Sequence, residues 1–137
     1  MRRALATALV AVWAASVATG ASAEVPVREA FQLHCSGCHG PDGRGDGRIV
    51  PDLRALAPLL AVEGGREYLV RVPGVAQAPL ESAALARLLD FVLTEMSGVD
   101  DLEAFGAAEV ERLRKRPLLD PVGARPIPRP TSPAPPR

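Results

Sequence analysis

Five consecutive residues, Cys35-Ser36-Gly37-Cys38-His39, hold both cysteines of the chain and one of its two histidines. Any fold of this chain must present two thiols three residues apart with an imidazole directly behind them. Four chemistries use such a pattern. A structural disulfide between Cys35 and Cys38 suits an oxidising compartment but leaves His39 without a role. A thioredoxin-like redox pair belongs in a βαβ setting, and no stretch here alternates convincingly with period two. A zinc site needs four ligands. The only sulfur and imidazole donors at hand are His34, Cys35, Cys38 and His39, four groups within six residues that close poorly around one ion. Covalent haem attachment uses all three groups of the motif. Two thiols at this spacing meet the two vinyl groups along one porphyrin edge as thioethers. The next residue then swings under the ring, where a neutral imidazole nitrogen ligates iron.

Both ends of the chain are expected to lie outside the domain that carries the motif. Met1-Arg2-Arg3 is a basic start, Ala4 to Thr19 is uncharged and largely apolar, and Ala21-Ser22-Ala23 supplies an A-x-A cleavage pattern. This is the layout of a secretory signal, residues 1–23, with cleavage before Glu24. The apolar run is shorter than the roughly 20 residues a spanning helix needs. The expected location is therefore periplasmic, without stable membrane association. At the other end, eight of the 21 residues from Pro117 to Arg137 are proline. Proline donates no backbone hydrogen bond, and such a segment buries too little apolar surface to offset its ordering entropy. Residues 117–137 are expected to form a polyproline-like, disordered tail.

Loss of the signal also changes the charge. The chain has 16 basic and 16 acidic residues; removing Arg2 and Arg3 leaves 14 against 16, or −2. That balance argues for neither a nucleic-acid partner nor an anionic membrane surface.

The remaining domain, residues 24–116, is small for a self-sufficient hydrophobic core. Its aromatic residues are Phe31, Tyr68, Phe91 and Phe105. A buried porphyrin would supply the large apolar plate that the side chains lack. The periodicity predicts helices over Val25–Ser36, Arg66–Val72, Leu80–Met96 and Ala107–Arg116, with a short helical turn within Asp52–Leu60. In the third of these, Leu85, Leu88, Leu89, Val92 and Met96 make one apolar stripe. Gly37–Gly47, with five glycines, reads as loop. The fold class is all-α, a small helical domain wrapped around one covalently bound haem.

On these residues the chain resembles the small class I c-type cytochromes. Phe31 stands four positions before Cys35, as an aromatic does in that family's first helix. The glycine-rich continuation His39-Gly40-Pro41-Asp42-Gly43-Arg44-Gly45, the Pro51-Asp52-Leu53 step and Phe91 in the last core helix match as well. The resemblance covers roughly residues 25–96. It implies one haem c, with Cys35 and Cys38 as the thioethers and His39 as the proximal iron ligand. It also implies that the Pro51 carbonyl accepts the other His39 ring N–H, and that Phe31 packs against Phe91 where two helices cross. His34, directly beside Cys35, should point elsewhere. Arg44, Arg48, Arg66, Arg71 and Tyr68 are candidates for propionate contacts.

The chain departs from the family on the distal side. The sixth ligand there is usually a Met in the loop before the last core helix, and the corresponding Pro73-Gly74-Val75-Ala76-Gln77-Ala78-Pro79 has none. Met96 is the single methionine after the signal. It is a candidate distal ligand and equally a continuation of the apolar stripe; water or Gln77 are the other occupants. The expected function is single-electron transfer in the periplasm, as a shuttle or as the cytochrome partner of a dehydrogenase, with redox proteins as partners. The alternative is a haem enzyme or gas sensor with an open distal site.

Overall fold

A computed structural model describes residues 24–127. The expected export signal, residues 1–23, and residues 128–137 of the proline-rich segment lie outside the described residues. The elements are α1 (Val27–His34), α2 (Ser36–His39), α3 (Ala57–Leu60), α4 (Gly65–Arg71), α5 (Pro73–Ala76), α6 (Ser82–Phe91) and α7 (Ala107–Arg114). A 3₁₀ turn at Leu53–Ala55 and a π turn at Val92–Met96 complete them. There is no strand among the described residues, so the fold is all-α as expected.

The centre of the molecule is where α1 meets α6. Pro26, extended at the start of α1, feeds a helix with Glu29 in its first turn and His34 in its last, an order that suits the helix dipole. Its inner face is Ala30 and Phe31. Phe31 is 1% exposed, and a burial of that kind is worth about 1.5–3 kcal/mol. Its ring meets Phe91 with centroids 6.2 Å apart and planes tilted by 55°, a favourable non-sandwich aromatic arrangement. The Arg28 guanidinium covers the Phe91 ring at 5.2 Å.

The helix predicted over Leu80–Met96 starts at Ser82 and changes character at its end. From Val92 it widens into a π turn, in which the Ser97 N–H reaches back to the Val92 carbonyl. Thr94 returns its hydroxyl to the Asp90 carbonyl at 2.9 Å, a local bond that competes with the regular ladder. The wider turn shifts the helix register, and Leu93 becomes the more deeply buried residue beside Val92. Gly98, with φ of +65°, ends the element.

α7 closes the far side against α4, α5 and α6. Val110 and Leu113 are its buried residues. One arginine, Arg66, fastens its N-terminal end. Arg66 of α4 makes a two-pronged pair with the Glu109 carboxylate, at 2.7 and 2.8 Å, and donates to the carbonyls of Glu103 and Ala104. Its guanidinium lies 3.8 Å from the centre of the Phe105 ring. Planar, forked pairing of this kind is specific to Arg. Arg66 is therefore committed to α7, whereas the sequence left it free for a propionate.

The proline-rich end departs from expectation in its first residues. Leu118 donates its N–H to the Arg71 carbonyl at 2.8 Å, and Arg71 Nε donates to the Arg116 carbonyl at 2.7 Å. The Tyr68 hydroxyl donates to the Pro121 carbonyl at 2.8 Å. The Asp120 side chain then closes a turn by accepting the Gly123 N–H. Proline lacks a donor but keeps its carbonyl, and this strap uses the carbonyl.

Truncation after Arg116 should lower stability by about 1–2 kcal/mol, at about 1 kcal/mol per hydrogen bond lost to the strap. Tyr68→Phe should account for about half of that. Urea unfolding of the full-length chain and both variants measures it; an unchanged midpoint would show that the strap does not contribute.

The Glu109 carboxyl is held below its ordinary value first by its hydrogen bonds to Arg66. A folded-state value below the unfolded one adds stability above the usual carboxylate range, and this is lost as pH falls through the lowered value. Glu109→Gln should therefore lower stability at neutral pH and flatten the acid limb of the stability curve. Equal acid limbs in the two proteins would refute the coupling.

Candidate functional site

The motif sits on a break between two helices. Cys35, with φ of −123° and ψ of −38°, ends α1 and starts the single turn of α2. The Cys35 N–H still bonds the Phe31 carbonyl, while the Cys35 carbonyl accepts from Cys38 and His39. The predicted loop therefore begins one turn later than its glycines suggest, because backbone bonds close over Ser36-Gly37. Gly40, with φ of +75°, stops the turn. Cys35 is half-buried, Cys38 is exposed, and both thiols are free. Burial pushes the Cys35 thiol up from its ordinary value. A thiol-exchange nucleophile needs the opposite shift.

His39 is gripped from behind. Its Nδ1 lies 3.1 Å from the Pro51 carbonyl oxygen. A carbonyl can only accept, so Nδ1 carries the proton and Nε2 keeps its lone pair. This is the tautomer an iron ligand needs, with a carbonyl partner that fixes the ring and raises its basicity. The His39 carbonyl accepts the Gly45 N–H at 2.8 Å, which ties the backbone of the histidine to the same loop.

Pro51 is placed by a compact turn. Asp46 Oδ1 accepts three backbone N–H groups, from Arg48, Ile49 and Val50, each at 2.8 Å. Those bonds, Arg48 first, hold the Asp46 carboxyl below its ordinary value. Asp52 caps the 3₁₀ turn through the Arg54 N–H and pairs with the Arg54 guanidinium. The pairing pushes the Asp52 carboxyl down to about 2. Gly43 accepts the Leu53 N–H at 2.8 Å and closes the loop. Gly45 has φ of +64°, and a side chain there would run into the carbonyls of Val50 and Pro51.

Met96 belongs to this loop. Its Cε and Sδ lie 3.2 and 3.5 Å from where a Cβ on Gly43 would stand. The adjacent Ser97 hydroxyl donates to the Leu53 carbonyl. The other segment of interest, Val72–Leu80, is partly helical: α5 occupies Pro73–Ala76, within what the sequence reads as the loop before the last core helix. Arg114 of α7 holds it from outside, donating to the carbonyls of Ala76 (3.1 Å), Ala78 and Leu80 (2.6 Å). Gln77 is exposed, as is His34 on the last turn of α1.

The structure thus brings Cys35, Cys38, His39 and Pro51 together and sets Met96 against the loop that ends at Pro51. Of the candidates for propionate contacts, Arg66, Arg71 and Tyr68 hold α7 and the strap instead, and Arg44 pairs with Asp42. Sequence reasoning missed Asp46, Ser97 and Arg114. The Asp46-Gly47 pair carries a turn signal that could have been used; Ser97 and Arg114 carry none. The donor set suits haem c: two free thiols on one turn, followed by an imidazole whose lone pair is fixed on Nε2. It does not suit a zinc cage, since no three His, Cys, Asp or Glu side chains converge among the described residues.

Comparison with known proteins agrees. The family model described as Cytochrome c matches residues 25–71. A cytochrome c-552 of Thermus thermophilus is 32% identical over 106 residues, covering 61% of this chain and 81% of that protein. A second cytochrome c-552, from a named strain of the same species, is also 32% identical over 106 residues, covering 61% of this chain and 72% of the relative. No solved structure matches the chain significantly.

Gly45→Ala should cost more than about 1 kcal/mol, because it adds a clash with the Val50–Pro51 backbone to left-handed strain. Gly47→Ala is the control. Gly47 also has positive φ, at +69°, but open space around it. Equal losses in denaturant unfolding would show that the close approach to Pro51 is unimportant.

Proposed function

This chain belongs to the cytochrome c family, and from that premise we propose that it is a monohaem electron carrier of the periplasm. Membership implies a covalently bound haem and electron transfer. The finer assignments are ours. Cys35 and Cys38 would form the two thioethers, and His39 Nε2 would ligate the iron. The observation that carries the reading is the 3.1 Å contact of His39 Nδ1 with the Pro51 carbonyl, twelve residues away. It leaves the lone pair at Nε2 and fixes the ring, which a disulfide or an exchange thiol pair would not require.

The haem, when bound, supplies one-electron chemistry by cycling its iron between ferric and ferrous states. The protein's part is to hold and tune. A carbonyl hydrogen-bonded to the distant ring nitrogen strengthens the imidazole as a donor, which favours the ferric state. The partners are redox proteins, either a dehydrogenase that the cytochrome serves or a donor and acceptor between which it shuttles. The leader-like start of the sequence and the absence of a basic excess support an exported protein that acts neither on nucleic acid nor on a membrane surface. No described helix is long and apolar enough to cross a membrane.

Protein expressed with its own leader and recovered from the periplasm should have the mass of a chain beginning at Glu24 plus one haem. The double change Cys35→Ala, Cys38→Ala should abolish covalent haem. Periplasmic wild-type protein with free thiols, or with a Cys35–Cys38 disulfide and no haem, would overturn the assignment.

A further inference from the structure

An iron held by a porphyrin and His39 has one more axial position, on the opposite face. The side chains able to fill it with a strong donor are few. Outside the leader-like segment the chain has one methionine, two histidines and one lysine. His39 is spent. His34 is exposed on α1, one residue before Cys35. Lys115 Nζ pairs with Glu111 at 2.8 Å. The Tyr68 hydroxyl is engaged by Pro121. That leaves Met96.

Met96 is engaged elsewhere. An iron at Nε2 would be held by the ring nitrogen that does not bond the Pro51 carbonyl. The Met96 thioether rests instead against Gly43, in the loop that leads to Pro51. Two features hold it there: the Ser97 hydroxyl bonds the Leu53 carbonyl, and the π turn packs on the 3₁₀ turn that follows Pro51. Withdrawing Met96 from the loop would break both. The segment Val72–Leu80 offers no replacement. Its side chains are apolar except for Gln77, which is exposed. Arg114 also pins its carbonyls at Ala76, Ala78 and Leu80, so it is not free to rearrange.

We propose that the haem iron of this protein keeps an exchangeable sixth position that binds small neutral π-acceptor ligands, of the carbon monoxide and nitric oxide class, while Met96 stays packed against the loop that leads to Pro51. The proposal rests on the haem assignment above. Binding is simple ligation: the diatomic donates its carbon or nitrogen lone pair to ferrous iron, displacing at most a water, and no electron is transferred to another group.

The test uses holoprotein whose covalent haem has first been verified by mass, so failure of the haem assignment shows before the titration begins. Carbon monoxide is added to the dithionite-reduced protein, and the optical spectrum is followed in wild type and in Met96→Leu, a change that keeps volume and apolarity. The expected result is stoichiometric binding of one carbon monoxide per haem in both proteins. Ferric wild type should also lack the near-infrared band of sulfur-ligated haem. Three results would overturn the proposal: a strong sulfur band in ferric wild type that Met96→Leu erases, carbon monoxide binding only in Met96→Leu, or haem-loaded wild type that does not bind carbon monoxide. The last of these needs no variant, so a misfolded Met96→Leu would not rescue the idea.

Discussion

The bond between His39 Nδ1 and the Pro51 carbonyl organises more of this molecule than any other single contact. It needs the backbone to leave α2, turn, and return within twelve residues with a carbonyl aimed at the imidazole. Three features meet that need. Left-handed glycines at 40, 43 and 45 provide the reversal. Asp46 gathers three N–H groups into one turn, and Asp52 caps the 3₁₀ turn that follows. Gly45 has a second duty, since only a residue without Cβ lets the loop approach Val50 and Pro51. The π turn and Ser97 press on the same loop from the opposite direction.

A domain with so few aromatic residues must find cohesion outside its core, and here it comes from arginine. Arg66, Arg71 and Arg114 each donate to main-chain carbonyls in segments with incomplete backbone pairing: before α7, at the start of the strap, and in Val72–Leu80. A lysine in any of these places would offer one compact charge, not a rigid fork of donors. Fifteen of the sixteen basic residues are Arg. Whatever produced that bias, the fold exploits it, because irregular segments leave carbonyls that must be satisfied.

The loop that ends at Pro51 and the segment Val72–Leu80 are held in different ways. The loop is dense: Gly43, Leu53, Met96 and Ser97 interlock on the way to Pro51. The segment Val72–Leu80 is held at a distance, through its carbonyls, by a helix that follows α6. The first arrangement fixes the His39 ring. The second segment carries no strong donor among its side chains.

The helical class and the thiol pair with its histidine were legible in the sequence, because each follows from spacing along the chain: helical periodicity and a five-residue motif. The contact of Phe31 with Phe91 came with the resemblance. The Pro51 contact was legible only through resemblance, since nothing in a lone loop proline says where its carbonyl points. What the sequence could not decide was the use of groups that several partners compete for. Arg66, Arg71 and Tyr68 were equally free to meet a propionate or a backbone carbonyl, and tertiary packing gave them to α7 and the strap. The proline-rich end read as disordered because prolines lack donors, yet its carbonyls found Tyr68 once α4 and α7 were in place. Met96 continued an ideal helical stripe, and the local widening to a π turn altered where that stripe ends. Periodicity is a property of the chain alone; the pairing of long, forked or multivalent side chains depends on which elements arrive beside them, and only the folded molecule settles that.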